Sequence, residues 1–178
     1  MKEQKLNIGW AQCSITPHQP LLMEGQMYPR VSRYVHDPIT ATAMVLENGE
    51  TQAIFVSMDM TEVPNHAMAP LKAALAEHGE IKFENISFNV THTHNSTSFY
   101  NDFMRSENEQ VYDPKILPPL EIPENTLYLD AGVAFFVEKL KNLILAAWER
   151  RTPGGISYAH DCAAIGFCRR PQFLLSDG

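Results

Sequence analysis

The chain has 178 residues, of which 44% are apolar, so it is long enough and apolar enough to bury the core of one domain. Fourteen Lys and Arg residues stand against twenty-one Asp and Glu residues, which gives a formal net charge of −7. No run of basic residues offsets that charge, so the composition argues against a nucleic-acid partner and against an anionic membrane surface. We therefore expect one globular domain over 1–178.

The sequence contains no membrane-spanning or signal-peptide pattern. No apolar stretch reaches about 18 residues, and residues 1–6 pass directly into a strand-like run. This predicts a soluble chain, cytoplasmic by default, with secretion or a periplasmic location left open if a signal peptide has been removed. Cys13, Cys162 and Cys168 are an odd number without Cys-x-x-Cys spacing, which argues against a disulfide framework.

Strand patterns dominate the first part of the chain. A strand is predicted over 6–11, and two more are predicted over 41–47 and 52–58. Asn48-Gly49 lies between the last two, and this dipeptide is typical of the turn in a β-hairpin. An antiparallel pair is therefore expected here.

A helix and a further strand follow. Asn65 is expected to cap a helix that runs to about residue 78, and residues 86–90 alternate as a strand does. The order strand, helix, strand predicts a right-handed βαβ crossover. The predicted fold class is α/β, with a mixed sheet, a βαβ crossover and flanking helices.

The second half contains an irregular part and a regular one. Residues 95–128 are acidic and proline-rich without periodicity, which predicts a long loop. Asp130 is expected to cap a helix with one apolar stripe, and a last strand is predicted over 156–164. The sequence closes on Asp177-Gly178, a turn signal with no returning strand, so we expect a truncated portion of a larger catalytic domain.

His92 and His94 are the centre of the candidate chemistry. Side chains alternate faces on an extended backbone, so two residues spaced in this way point to the same side at the end of their strand. Neutral imidazole is a common zinc ligand, but a catalytic zinc needs three protein ligands, and the pair supplies at most two. The structural alternative is that both are polar strand-end residues, satisfied by the neighbouring threonines and Asn95.

The position of the pair favours a metal site. It follows an apolar strand, and open α/β sheets bind ligands outside the carboxyl ends of their strands. Two other metal-binding patterns fail on spacing: the residues 95–98 contain no glutamate, as a cupin would require, and the His-Glu-x-x-His of a zincin is absent.

Several ordered segments carry a resemblance to a known family. In chain order they are Ile8-Gly9-Trp10-Ala11 through Ile15-Thr16-Pro17, Val35-His36-Asp37-Pro38 leading to Ala41-Thr42-Ala43-Met44-Val45-Leu46, Ile54-Phe55-Val56-Ser57-Met58-Asp59-Met60, Val90-Thr91-His92-Thr93-His94, and Cys168-Arg169-Arg170. They resemble the N-terminal part of the neutral/alkaline non-lysosomal ceramidases and their bacterial relatives. Thr-His-Thr-His is the most specific element, and the resemblance covers nearly the whole chain.

The resemblance implies roles for individual residues. His92 matches the family's first zinc-ligand histidine, and His94 matches a second histidine suited to proton transfer or to holding the substrate carbonyl. Arg169 matches an active-site arginine that would stabilise a developing oxyanion. Asp59 and His36 match positions that suit outer support of the site, and a purely structural role is equally open for both.

The sequence also departs from the family. After the second histidine the ceramidases resemble Ser-Gly-Pro-Gly-Gly, whereas this chain has Asn95-Ser96-Thr97-Ser98-Phe99, which leaves the substrate open. The family's other zinc ligands, a histidine, a glutamate and a tyrosine, are expected beyond Gly178. His160 matches no family ligand and lies in a predicted strand, which favours a structural role.

The function that the resemblance implies is that of a zinc-dependent hydrolase. It would cleave the amide (N-acyl) bond of a small-molecule or lipid-like substrate, as in ceramide, with zinc as its cofactor. Two alternatives stay open. The first is a truncated, non-catalytic module with an incomplete metal site, and the second is a related metal hydrolase that acts on a non-ceramide amide or an ester.

Overall fold

A computed structural model describes residues 5–26, 30–97, 121–127 and 129–165. The strands are Asn7–Ser14 (β1), Leu22–Met23 (β2), Arg30–Val31 (β3), Thr40–Glu47 (β4), Gln52–Met58 (β5), Ile86–Val90 (β6) and Thr152–Pro153 (β7). The α-helices are Asn65–Ala76 (α1) and Leu129–Glu149 (α2), and Phe83–Asn85 forms a short 3-10 turn.

Five strands form one mixed sheet in the order β6-β5-β4-β1-β7. The pairs β1–β4, β4–β5 and β1–β7 are antiparallel, and β5–β6 is parallel. Strands β2 and β3 form a separate two-stranded ribbon. The predicted α/β class with a mixed sheet is therefore confirmed.

The two connections predicted around β5 are both present. In the β4–β5 hairpin, Asn48 Oδ1 accepts hydrogen bonds from Thr51 N at 2.9 Å and Thr51 Oγ1 at 3.1 Å, which closes the turn. Helix α1 then connects β5 to its parallel neighbour β6, as the predicted crossover requires. This brings the carboxyl ends of β5 and β6 to the same edge of the sheet.

The core lies between one face of the sheet and the two helices. Alternate residues of β1, β4 and β5 point toward α1 and α2, so each strand contributes every second side chain to the same apolar cluster. Fully buried members include Val45, Ile54, Val56, Leu71, Phe136, Leu140 and Ile144. Burying one such large side chain contributes roughly 1.5–3 kcal/mol, so this face supplies most of the driving force for folding.

The opposite face of the sheet is open in the described part of the chain. Trp10, Met44 and Phe55 are register partners on β1, β4 and β5 and form an apolar row across it. Trp10 is 71% exposed and Phe55 is 41% exposed. Within the described residues, one face of the sheet is therefore buried against the helices and the other is exposed to solvent.

The predicted strand over 156–164 is wrong. These residues have neither helix nor strand, and Ile156 and Tyr158 are 67% and 89% exposed. Among the described residues that follow α2, only Thr152–Pro153 pair with β1, opposite Asn7 and Ile8, so the apolar residues after them have no strand partner within the described ranges. Strand propensity without a partner does not form a strand, and His160 consequently lies in an exposed, irregular segment.

Both helix starts differ slightly from their predictions. Pro64, without a side-chain cap bond, precedes α1, so Asn65 is its first residue and not its cap. Helix α2 begins at Leu129, which places Asp130 inside the first turn, where its charge favours the positive end of the helix. Residues 98–120 and 128 of the predicted loop lie outside the described residues. No helix within those described is both long and apolar enough to cross a membrane.

Candidate metal and catalytic site

The histidine pair lies where the chain leaves the carboxyl end of β6. Thr91 N still donates to Met58 O at 3.0 Å, so contact with β5 extends one residue beyond β6. His92 then has φ +58°, a left-handed conformation that ends the extended backbone. We call residues 91–95 the histidine turn. It occupies the sheet edge at which the sequence predicted a ligand site.

The His92 ring is held by a backbone carbonyl. Its Nδ1 lies 2.7 Å from Thr61 O, and a carbonyl oxygen can only accept, so Nδ1 carries the proton. In the neutral ring this leaves the Nε2 lone pair free to bind a ligand. Metal-binding histidines are commonly oriented in this way, through a hydrogen bond from the other ring nitrogen. The orientation of His92 therefore fits a metal ligand.

The His94 ring lies beside the first. The two ring centroids are 5.1 Å apart and the planes meet at 82°, an edge-to-face arrangement. The predicted adjacency is present, but its cause differs from the prediction: strand β6 ends at Val90, so a turn and not the alternation of a strand brings the imidazoles together. Two imidazole rings thus lie next to each other at the histidine turn.

A network of hydrogen bonds among Thr61, Thr93 and Ser96 supports the histidine turn. Thr61 Oγ1 donates to Thr93 O at 2.8 Å, and Ser96 Oγ accepts from Thr61 N at 3.1 Å. Thr61 and Ser96 are only 9% and 2% exposed. Because buried hydrogen bonds are costly to break, the network fixes the Thr61 carbonyl that orients His92.

Glu24 adds a titratable carboxyl group close to the turn. Its backbone N–H donates to Ser96 O at 3.1 Å, next to a bridge between Met23 and Thr97. Burial of the carboxyl group and, as the smaller cause, the negative charge of Glu62 together raise the pKa of Glu24 to about 7. This carboxyl group therefore exchanges its proton near neutral pH.

Asp59 joins three strand ends at the same sheet edge. Its Oδ2 accepts from Thr40 N at 2.9 Å and Thr40 Oγ1 at 2.8 Å, and its Oδ1 accepts from Thr91 Oγ1 at 3.3 Å. Thr91 precedes His92, so Asp59 braces the start of the histidine turn. A supporting role through the backbone is what this geometry offers, and the predicted role in the site stays a prediction.

The other predicted residues lie apart from the pair or outside the description. The His36 ring is exposed, and its Nδ1 is 2.7 Å from Asp37 Oδ2, so its partner is the adjacent residue. Arg169 lies outside the described residues, and its role stays a prediction. Among the residues that are described, no three His, Cys, Asp or Glu side chains are grouped to hold a metal ion.

Sequence reasoning missed Thr61 and Ser96. Their contacts join residues 31 to 35 positions apart, so no local pattern announces them. The sequence offered one signal for these contacts, the polar run Asn95-Ser96-Thr97. It follows the second histidine, where the resemblance to the ceramidases led us to expect a glycine-rich run.

Comparison with known proteins gives structural likeness but no sequence match. No protein-family model matches the chain, and no curated protein matches it. The fold is similar to the crystal structure of a neutral ceramidase from Pseudomonas aeruginosa, with a TM-score of 0.65 and 17% identity over 86% of this chain and 23% of that chain. A structure of ceramidase complexed with C2 gives a TM-score of 0.63 and 16% identity, over 85% of this chain and 22% of that one.

These values establish a shared fold. The predicted resemblance to part of a ceramidase is confirmed at that level, as is the α/β class. The chain spans less than a quarter of the length of the two ceramidase chains.

Proposed function

We propose that this chain is part of a zinc-dependent hydrolase of the neutral ceramidase type, which cleaves an amide (N-acyl) bond. The observation that carries the proposal is the hydrogen bond of His92 Nδ1 to the Thr61 carbonyl, because it presents Nε2 as a ligand at the carboxyl edge of the sheet. The likeness of fold to two ceramidase structures supports the same assignment.

The two histidines have different tasks in this proposal. His92 would hold the zinc, which when bound supplies a Lewis acid that polarises the amide carbonyl and activates water. His94, 5.1 Å away between ring centroids, would accept a proton from the attacking water and return one to the leaving amine. Arg169 would donate to the developing oxyanion. The further zinc ligands would come from outside the described residues.

The proposed substrate is a small-molecule or lipid-like amide. A ceramide is the first choice, because one of the similar proteins is a neutral ceramidase. A non-ceramide amide or an ester is the second candidate. It is favoured by Ser96 and Thr97, which are buried against Thr61 and Met23 where the ceramidase family has a glycine-rich run.

The proposal is tested by the zinc content and amidase activity of the intact gene product. His92→Ala should remove most of the zinc found by elemental analysis, because it removes the ligand itself, and should abolish release of fatty acid from a short-chain ceramide. His94→Ala should retain the zinc and lose most of the activity, roughly 100-fold or more.

His78→Ala is the matched control. His78 is exposed just beyond α1, so its loss should change neither quantity. Undiminished zinc in His92→Ala would rule out the metal assignment. Zinc binding without hydrolysis of amides or esters would favour a non-catalytic module.

A further inference from the structure

The side chain of Arg30, at the start of β3, reaches across to the histidine turn. Its Nη2 donates to His94 O at 2.5 Å and to Glu24 O at 3.2 Å, and its Nη1 donates to Asn95 Oδ1 at 3.3 Å. All three acceptors are uncharged amide oxygens. One planar cation therefore joins the end of the β2 segment to the backbone and a side chain of the turn.

Gly25 also lies against the same histidine. A Cβ atom built on Gly25 would lie 2.6 Å from His94 Cγ and 2.7 Å from both His94 Cα and Cβ. Real Cβ atoms do not approach other heavy atoms so closely, so only glycine allows this contact. Arg30 thus fixes the His94 peptide, while the bare backbone of Gly25 limits where the His94 side chain can lie.

We propose that Arg30 is a positioning residue for His94, and that its hydrogen bonds, together with the close approach of Gly25 to His94, set the orientation of the His94 ring relative to His92. This inference rests on the proposed function in one respect only, namely that His94 takes part in the reaction. The geometric part concerns the ring pair itself and holds whether or not the protein is a hydrolase.

The chemistry of arginine explains why this side chain suits the task. Its guanidinium presents several N–H donors in a rigid fork, so it can satisfy three oxygens from different segments in one plane. A lysine ammonium group can bond to one of these oxygens, but it cannot hold all three in a fixed arrangement relative to one another. Hydrogen bonds from a charged donor are also stronger than neutral ones, which favours a well-defined position for the His94 carbonyl.

The geometric test measures the nuclear Overhauser effect between the ring protons of His92 and His94 in the 178-residue chain. The effect should be seen in the parent, because the rings are edge to face at 5.1 Å. Arg30→Met should abolish it, and Arg30→Lys should restore part of it. Full parental intensity in Arg30→Met would overturn the inference.

Arg33→Met is the matched control, because Arg33 is an exposed arginine of the same segment and should leave the ring contact unchanged. Signals from the core, such as those of Phe136 and Leu140, report whether each variant is folded. If Arg30→Met loses these as well, Arg30→Lys decides: a folded Lys variant should show a weakened ring contact, and parental intensity would again overturn the inference.

The catalytic part is tested separately in the intact gene product. Arg30→Met should lower kcat for the amide substrate about 10- to 100-fold, with KM and zinc content nearly unchanged, because displacing a reacting group by about 1 Å has effects of this size. An unchanged kcat would show that the position of His94 does not matter for the reaction. Failure of the parent to hydrolyse any amide or ester would remove the proposed function and leave the ring-contact test standing.

Discussion

The helix-covered face of the sheet and the histidine turn belong to one fold but are held in different ways. The first is stabilised by large apolar side chains, each touching many others, so no single contact sets its shape. The second is positioned by separate hydrogen bonds to Thr61 and Arg30 and by the close approach of Gly25. Loss of a core side chain should therefore cost stability, whereas loss of one contact at the turn should change geometry more than stability.

The largest effect is expected in the core. Phe136 of α2 is fully buried, and Phe136→Ala should lower the free energy of unfolding by about 3–5 kcal/mol, because it removes buried area and leaves a cavity. Urea denaturation measures this. Phe55→Ala, on the open face, is the control and should cost less than about 1 kcal/mol. If both variants lost the same unfolding free energy, the helix-covered face would contribute no more to stability than the open face, and the contrast would be contradicted.

An intermediate effect is expected where the turn meets Gly25. Gly25→Ala combines a left-handed backbone, φ +93°, with the clash against His94, and should cost roughly 2–3 kcal/mol while displacing the His94 ring. Thermal unfolding and the His92–His94 ring contact are the measurements.

Gly79→Ala separates the two causes. Gly79 also has positive φ, +56°, but nothing lies near its Cβ position, so only the backbone strain of about 1 kcal/mol applies. If Gly25→Ala costs no more than Gly79→Ala, the contact with His94 is not tight.

The smallest effect concerns the pH dependence of stability through Glu24. Its pKa is raised from 4.5 to about 7 in the folded chain, so the folded state binds the proton more tightly than the unfolded state. The parent should then lose stability as the pH rises from about 4.5 to 7, and Glu24→Gln should not. After allowance for solvent screening of this half-exposed group, the difference should be about 1 kcal/mol.

Urea denaturation of the parent and Glu24→Gln at pH 4.5 and pH 8 measures this difference. Glu50→Gln, an exposed carboxylate in the β4–β5 turn, should follow the parent at both values. A parent that is more stable at pH 8 than at pH 4.5, relative to Glu24→Gln, would contradict the raised pKa.

The same contrast explains what the sequence could predict. Strands β4 and β5, with Asn48-Gly49 between them, and the crossover through α1 follow from periodicity and turn chemistry, which are local properties. The strand predicted over 156–164 does not form, because a strand needs a partner and β1 pairs in this part of the chain only with Thr152 and Pro153. Whether a strand forms is decided by such long-range pairing.

The site was predictable only in its position. Thr91-His92-Thr93-His94 and the sheet edge follow from the sequence, but the adjacency of the rings was attributed to strand alternation, and a left-handed residue at His92 is the actual cause. The supporting contacts of His94 with Gly25 and Arg30 join residues 64 or more positions apart. No pattern of neighbouring residues indicates such contacts.

The open sheet face has a consequence for fluorescence. Trp10 stands in water on that face, whereas the indole N–H of Trp148 donates to Glu80 Oε2 at 2.9 Å and the Arg151 guanidinium stacks on its ring, with Cζ 3.4 Å from the ring centroid. The emission of Trp10 should be red-shifted and open to quenching by iodide, while that of Trp148 is screened. The two indoles therefore report on different parts of the molecule. Trp10 fluorescence would respond to anything that binds the open face of the sheet, and Trp148 fluorescence would respond to loss of the packing around α2.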